Sequence, residues 1–219
     1  LESSRPPAKL LRATLAGPAG DIEALIEAPG EASPHAFGVI CHPHPLFGGT
    51  LQNKVVHTLS RSFQELGAPT IRFNFRGVGR STGSFADGIG ETEDALAIVA
   101  EGRRRWPQAA VWLAGFSFGG AVAVRAAARA DAQLLVTVAP AVRLIDVSDC
   151  KVPDCPWLIV QGDADELVEP AAVLQWAAQL SPAPTVKVLP GVGHFFHGQL
   201  RELTTLVVDF ARERRLARE

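Results

Sequence analysis

The sequence predicts an α/β protein: one mainly parallel sheet covered by helices on both faces, with an antiparallel hairpin at its N-terminal edge. Two observations predict it. From residue 37 onward, short apolar runs with little polar alternation recur, each parted from the next by a loop or an amphipathic stretch, the pattern of strands buried on both faces. Before that, Lys9 to Leu15 and Asp21 to Ala28 read as half-exposed strands around a Gly/Pro/Ala turn, a hairpin suited to a sheet edge.

The elements follow in order. Phe37 to Cys41 (FGVIC) opens the parallel series, and after a loop to Gly49 an amphipathic helix runs from Asn53 to Leu66, ended by Gly67. Thr70 to Phe75 is the next strand. Glu91 to Trp106 forms a helix that Pro107 stops, with Arg103 to Arg105 in its last turn, where cations offset the helix dipole. Ala110 to Ala114 is a strand that runs directly into GFSFGG and a helix over Phe118 to Ala130. Leu134 to Ala139 and Trp157 to Val160 are buried strands, Pro170 to Leu180 a helix, Thr185 to Leu189 a strand, and a terminal helix spans about Gln199 to Arg215. A sheet of this kind carries its functional groups on loops at the carboxyl ends of the strands.

Composition narrows the function classes. With about 150 residues per domain as the usual scale, 219 residues are expected to form one domain over 1–219. The balance of 21 Lys+Arg against 23 Asp+Glu offers no basic excess to track a phosphate backbone, so nucleic acid is not an expected partner. Cys41, Cys150 and Cys155 are odd in number and lack paired spacing, which argues against a disulfide framework and a zinc site and for a reducing compartment. No apolar run approaches the ~20 residues that span a bilayer, and the N-terminal LESSRPPAKLLR lacks the basic-then-apolar layout of a signal peptide. A soluble, cytoplasmic chain without membrane contact is expected, and the missing initiator Met suggests trimming. Nothing in the sequence explains why the chain holds no Met and no Tyr.

Chemistry concentrates in four loops. Gly115-Phe116-Ser117-Phe118-Gly119 is a GxSxG between a strand and a helix, the context in which that motif positions a nucleophile. An abrupt strand-to-helix turn strains the middle residue, and small residues two positions to either side let the segments pass closely. The helix starting at Phe118 would then favour negative charge beside Ser117, with the Phe118 N–H free to donate. A serine hydroxyl needs a base and the base needs a carboxylate to orient it. His194, in the loop PGVGHFF after the strand Thr185 to Leu189, lies on the Ser117 side of the sheet, whereas His35 precedes a strand, His57 sits within a helix, and His197 is expected to enter the final helix. The acidic loop QGDADE after Trp157 to Val160 offers two competing carboxylates, Asp163 and Asp165. Gly77-Val78-Gly79 only begins a dinucleotide fingerprint, since position 82 is Thr and no helix follows directly.

With GFSFGG at Ser117, QGDADELV at Asp165, PGVGH at His194 and HPHP after FGVIC, the chain resembles the α/β-hydrolases from about Lys9 to Arg215. Its HP, NKV and RGVG segments are similar to those of small lidless bacterial hydrolases of the dienelactone hydrolase and serine-aminopeptidase-like groups, although dienelactone hydrolases use a cysteine where this chain has Ser117. The resemblance implies a three-layer fold without a cap and a Ser117, Asp165, His194 triad. The acid falls on Asp165 because in that superfamily it usually sits three residues after the loop glycine, which leaves Asp163 to brace the loop. It also implies an oxyanion hole made by the N–H groups of Phe118 and His44. In His42-Pro43-His44-Pro45-Leu46-Phe47 the prolines cannot donate, and Leu46 or Phe47 are the alternatives to His44. Whether the His42 and His44 side chains take part, or only satisfy local backbone groups, stays open.

The connection from Pro140 to Pro156 is too short for a helical cap, since a helix hairpin takes about thirty residues. The site is therefore expected to be open and shallow, walled by Leu46, Phe47, Phe85, Phe118, Phe195 and the Ala141 to Val147 loop. These features lead to a serine hydrolase acting on small carboxylic esters or thioesters, with no cofactor or metal, working as a monomer or homodimer. The alternatives are a peptidase or amidase on the same triad, and a non-catalytic binding protein of the same fold.

Overall fold

A computed structural model of the chain describes residues 9–28 and 33–216, so LESSRPPA at the N-terminus lies outside the described residues. The strands are β1 (Lys9–Gly17), β2 (Gly20–Ala28), β3 (Ala36–Cys41), β4 (Thr70–Phe73), β5 (Ala110–Phe116), β6 (Leu134–Val138), β7 (Trp157–Gly162) and β8 (Thr185–Leu189). They form one sheet in the order β1-β2-β4-β3-β5-β6-β7-β8. β1 pairs antiparallel with β2, and β2 antiparallel with β4; every later pairing is parallel. The helices are α1 (Lys54–Glu65), α2 (Ile89–Arg105), α3 (Phe118–Ala127), α4 (Pro170–Ala177) and α5 (Leu200–Leu216).

The unbroken apolar runs of the central strands are explained by a core on each face of the sheet. In β3, Phe37, Val39 and Cys41 point to one side while Ala36 and Ile40 point to the other; in β5, Val111 and Leu113 alternate with Trp112, Ala114 and Phe116. The first face is covered by α2, α3 and α4, through residues such as Ile98, Val122 and Val173; the second by α1 and α5, through Leu59, Phe63, Val207 and Phe210. Each such fully buried large side chain contributes about 1.5–3 kcal/mol, so α1 and α5 dock by packing, not by propensity. Asn53 starts α1 by accepting the N–H groups of Val55 (2.9 Å) and Val56 (3.4 Å).

Three boundaries differ from expectation in ways that matter to the site. β5 runs on to Phe116 because Ser117 N–H donates to Val138 O of β6 at 2.9 Å, carrying the sheet up to the turn. Pro45–Phe47, expected as loop, is a short 3₁₀ turn. His197 lies in a turn before α5 and not inside that helix. The connection between β6 and β7 contains no helix, so no helical cap is built there. No helix among the described residues is long and apolar enough to cross a membrane.

Candidate active site

Ser117 sits at φ 55°, ψ −119°, a left-handed backbone conformation unusual for a non-glycine residue. Its carbonyl is held by the N–H groups of Gly120 (2.9 Å), Ala121 (3.2 Å) and Ala141 (3.0 Å), which lock the turn. The flanking glycines are sterically required: a Cβ on Gly115 would stand 2.0 Å from Gly119 O, and one on Gly119 would stand 2.4 Å from the carbonyl oxygens of Cys41 and His42. The second contact shows what the glycine does for the site. It brings the start of α3 against the loop that leaves β3.

The three residues separated in sequence meet in a hydrogen-bonded chain. Ser117 Oγ lies 3.1 Å from His194 Nε2, and His194 Nδ1 lies 2.9 Å from Asp165 Oδ2 and 3.0 Å from Oδ1. Asp165 Oδ1 also accepts the N–H groups of Leu167 (2.9 Å) and Val168 (2.8 Å), and Oδ2 accepts from Gln161 Nε2 (3.1 Å). Burial pushes the Asp165 carboxyl upward, but the bonds from His194, Val168 and Leu167 outweigh it and hold the group below the ordinary carboxylate value. A carboxylate at Oδ2 fixes the proton on His194 Nδ1 and leaves Nε2 with a lone pair facing the serine hydroxyl. The imidazole is further held between Phe116 and Phe195, with ring centroids 4.9 and 5.2 Å away, and its backbone N–H donates to Glu166 Oε2 at 3.1 Å. Asp163, the competing acid, is exposed and accepts the Gly191 N–H at 2.6 Å, bracing one loop against the next.

The loop after β3 distinguishes among the possible donors. Leu46 N–H is spent on His44 Nδ1 (3.2 Å) and Phe47 N–H on His44 O (3.2 Å), both within the 3₁₀ turn. Among the described hydrogen bonds, the His44 N–H has no acceptor, and the Phe118 N–H belongs to the first turn of α3, which no carbonyl of that helix reaches. The His44 ring packs on Phe47, Phe85 and Phe118, and burial lowers its pKa despite the opposing pull of Glu91. His42 is wholly buried: Nδ1 pairs with Pro43 O at 2.6 Å, and Nε2 accepts the Phe75 N–H at 3.0 Å. Burial drives its pKa down to about 4, against the Pro43 bond, so the ring is a neutral brace between β3 and the end of β4.

The far end of the same loop is braced too. Leu51 is gripped at both backbone groups, its N–H by Asn74 Oδ1 (2.9 Å) and its C=O by Arg72 Nη1 (2.9 Å). Those two side chains are in turn fixed by Glu23 and Glu27 of β2, with Asn74 Nδ2 donating to Glu23 Oε2 at 2.8 Å and Arg72 paired with Glu27 at 3.0 Å. The roles of Gln161, Glu166, Arg72 and Asn74 escape sequence reasoning, because each depends on a partner that only the folded sheet brings near.

Beside Ser117 lies a cavity of about 700 Å³. Ala141, Val142 and Leu144 form one wall and Leu167, Val168 and Val173 the other; Phe47 and Phe195 stand elsewhere on its lining. The second wall is the unforeseen part, contributed by the acid loop and α4. Leu46 and Phe85, expected as walls, do not line the cavity: Leu46 points to solvent, and Phe85 packs against His44 and Phe118. Phe118 is likewise buried away from it.

Known proteins share this arrangement of elements. The family described as "Serine aminopeptidase, S33" matches residues 39–153. An uncharacterized protein of Rickettsia prowazekii is 32% identical over 205 residues, covering 89% of this chain and 85% of its own. A Xanthomonas campestris protein described as an α/β serine hydrolase without lid superposes with a TM-score of 0.89 at 40% identity, over 94% of this chain and 95% of that one. An α/β serine hydrolase homologue from Coxiella burnetii gives 0.86 at 43%, over 91% and 96%. With the family match spanning more than half of its length, the chain belongs to the α/β-hydrolase superfamily, within the family described as serine aminopeptidase S33.

Proposed function

We propose that this α/β serine hydrolase cleaves carboxylic esters or thioesters through an acyl-enzyme. The observation that carries the reading is the continuous chain Ser117 Oγ, His194 Nε2, His194 Nδ1, Asp165. Ser117 Oγ attacks the substrate carbonyl while His194 Nε2 takes its proton, and Asp165 stabilises the resulting imidazolium. The carbonyl oxygen, now negative, is received by the N–H groups of Phe118 and His44. His194 then returns the proton to the departing oxygen or sulfur, leaving Ser117 acylated. Water, deprotonated by the same imidazole, attacks the acyl carbon, and collapse of the second tetrahedral adduct frees the acid and restores the serine.

The family description favours a second reading, an aminopeptidase. Gripping a substrate ammonium needs an available carboxylate in the cavity. Glu169, the acidic side chain among the described lining residues, is paired with Arg143, which ranks amides below esters. Hydrolysis of a short p-nitrophenyl ester should vanish in Ser117→Ala while thermal unfolding stays cooperative. Retained hydrolysis, or aminoacyl-naphthylamides cleaved as fast as esters, would reverse the reading.

A further inference from the structure

We infer that the slot between the two apolar walls takes an unbranched acyl chain, so that the substrate class is medium-chain acyl esters and not acetyl esters; this rests on the serine-hydrolase reading above. Direction comes from the chemistry. The leaving group must face His194 Nε2, which protonates it, and the carbonyl oxygen must face the His44 and Phe118 amides. Those fix two directions around the reacting carbon. The oxyanion loop leaves β3, on one side of β5, whereas Ala141 to Leu144 leave β6 and Leu167 to Val173 follow β7, both on the other side. The His194 loop, which follows β8, lies on that side too, so both remaining substituents leave away from the oxyanion loop; the leaving atom is held at the imidazole, and the apolar walls suit the acyl chain, which carries no developing charge. Ala141 N–H, bonded to Ser117 O at 3.0 Å, ties the first wall directly to the nucleophile.

Size and polarity agree with that direction. At about 30 Å³ for a group the size of a water or a methylene, an acetyl group would leave most of the ≈ 700 Å³ empty. A chain of about eight carbons would fill roughly a third, leaving the remainder to the leaving group and to the open mouth between Leu144 and Leu167. The walls offer Ala, Val and Leu side chains, and Leu144 and Leu167 stand 60% and 63% exposed at the mouth, where a bound chain would cover them. The ion pair between Arg143 and Glu169 joins the two walls, one partner from each.

The test is a series of p-nitrophenyl esters from acetyl to dodecanoyl, each assayed below its aggregation concentration. kcat/KM should rise about fourfold per added methylene up to about eight carbons and then level, the increment expected of full burial. The octanoyl-to-acetyl ratio is measured within one preparation, so partial misfolding of a variant cancels. It should fall at least tenfold in Val142→Phe, which narrows the slot, and about threefold in Leu167→Gln at its exposed mouth. A flat series, a ratio unchanged in both variants, or a rise seen only with aggregated substrate would overturn the inference while leaving the serine-hydrolase reading intact. No cleavage of any ester would overturn both.

Discussion

Replacing Asp165 by Asn changes one atom and opposes two donors. Asn Oδ1 can keep the Leu167 and Val168 N–H bonds, which places the new amide NH₂ opposite Gln161 Nε2 and His194 Nδ1, at the 3.1 and 2.9 Å now bridged by a carboxylate oxygen. The imidazole relieves its share of the conflict by moving its proton to Nε2, which then cannot accept from Ser117. The corresponding Asp-to-Asn change in a chymotrypsin-type triad lowers kcat about 10⁴-fold. With the same three-residue relay here, a fall on the order of 10³–10⁴ is expected, about 4–5.5 kcal/mol of lost transition-state stabilisation. Folding should lose about 1–3 kcal/mol from the donor left facing Gln161. The assay is steady-state ester hydrolysis together with chemical denaturation. Asp163→Asn is the control: exposed, its carboxylate bonded only to Gly191 N–H among the described hydrogen bonds, it should change kcat by no more than about twofold. If Asp165→Asn keeps kcat within tenfold of the parent while Asp163→Asn falls a thousandfold, the acid has been assigned to the wrong carboxylate.

Two further outcomes concern the braces of the loop after β3. His42 has a pKa near 4 in the fold against about 6.5 unfolded, so between those values the unfolded chain binds the extra proton. Stability is therefore complete above pH 6.5 and falls as pH drops toward 4, by about 3 kcal/mol from this group. His42→Gln, which can still donate to Pro43 O and accept from Phe75 N–H, should show a denaturation free energy that depends less on pH over that window; identical pH profiles would refute the assignment. Asn74→Ala strands the Leu51 N–H and frees the exit of the loop, so kcat should fall on the order of tenfold to a hundredfold with KM little changed. A KM effect alone would place Asn74 in binding and not in positioning.

Much of this was legible in the sequence because strands buried on both faces leave a coarse trace. FGVIC, AVWLA and LLVTV carry no polar alternation, and every one is a central strand. That Ser117, Asp165 and His194 meet was legible for a related reason: parallel strands deliver the loops after β5, β7 and β8 to the same edge, while the choice of Asp165 over Asp163 came from the family resemblance. Side-chain packing between loops left no such trace. Phe85, expected as a pocket wall, instead packs 5.1 Å from the His44 ring and is not among the residues lining the cavity. The second wall comes from Leu167 and Val168 of the acid loop and Val173 of α4, and the apolar character of Val173 suits a helix packed on the sheet as well as it suits a substrate slot. Whether the His42 side chain takes part or satisfies backbone groups was open in the sequence; only its bond from the Phe75 N–H, beyond the end of β4, decides for the brace.

The central claim is that Ser117 is a nucleophile activated by His194 beside two waiting backbone donors. A fluorophosphonate probe tests all three parts at once, since it phosphonylates a serine whose base and oxyanion hole are in place. The account predicts stoichiometric labelling mapped by mass spectrometry to Ser117, abolished in Ser117→Ala and reduced on the order of a thousandfold in rate in His194→Ala. A folded protein that remains unlabelled, or that is labelled at another residue, would contradict it.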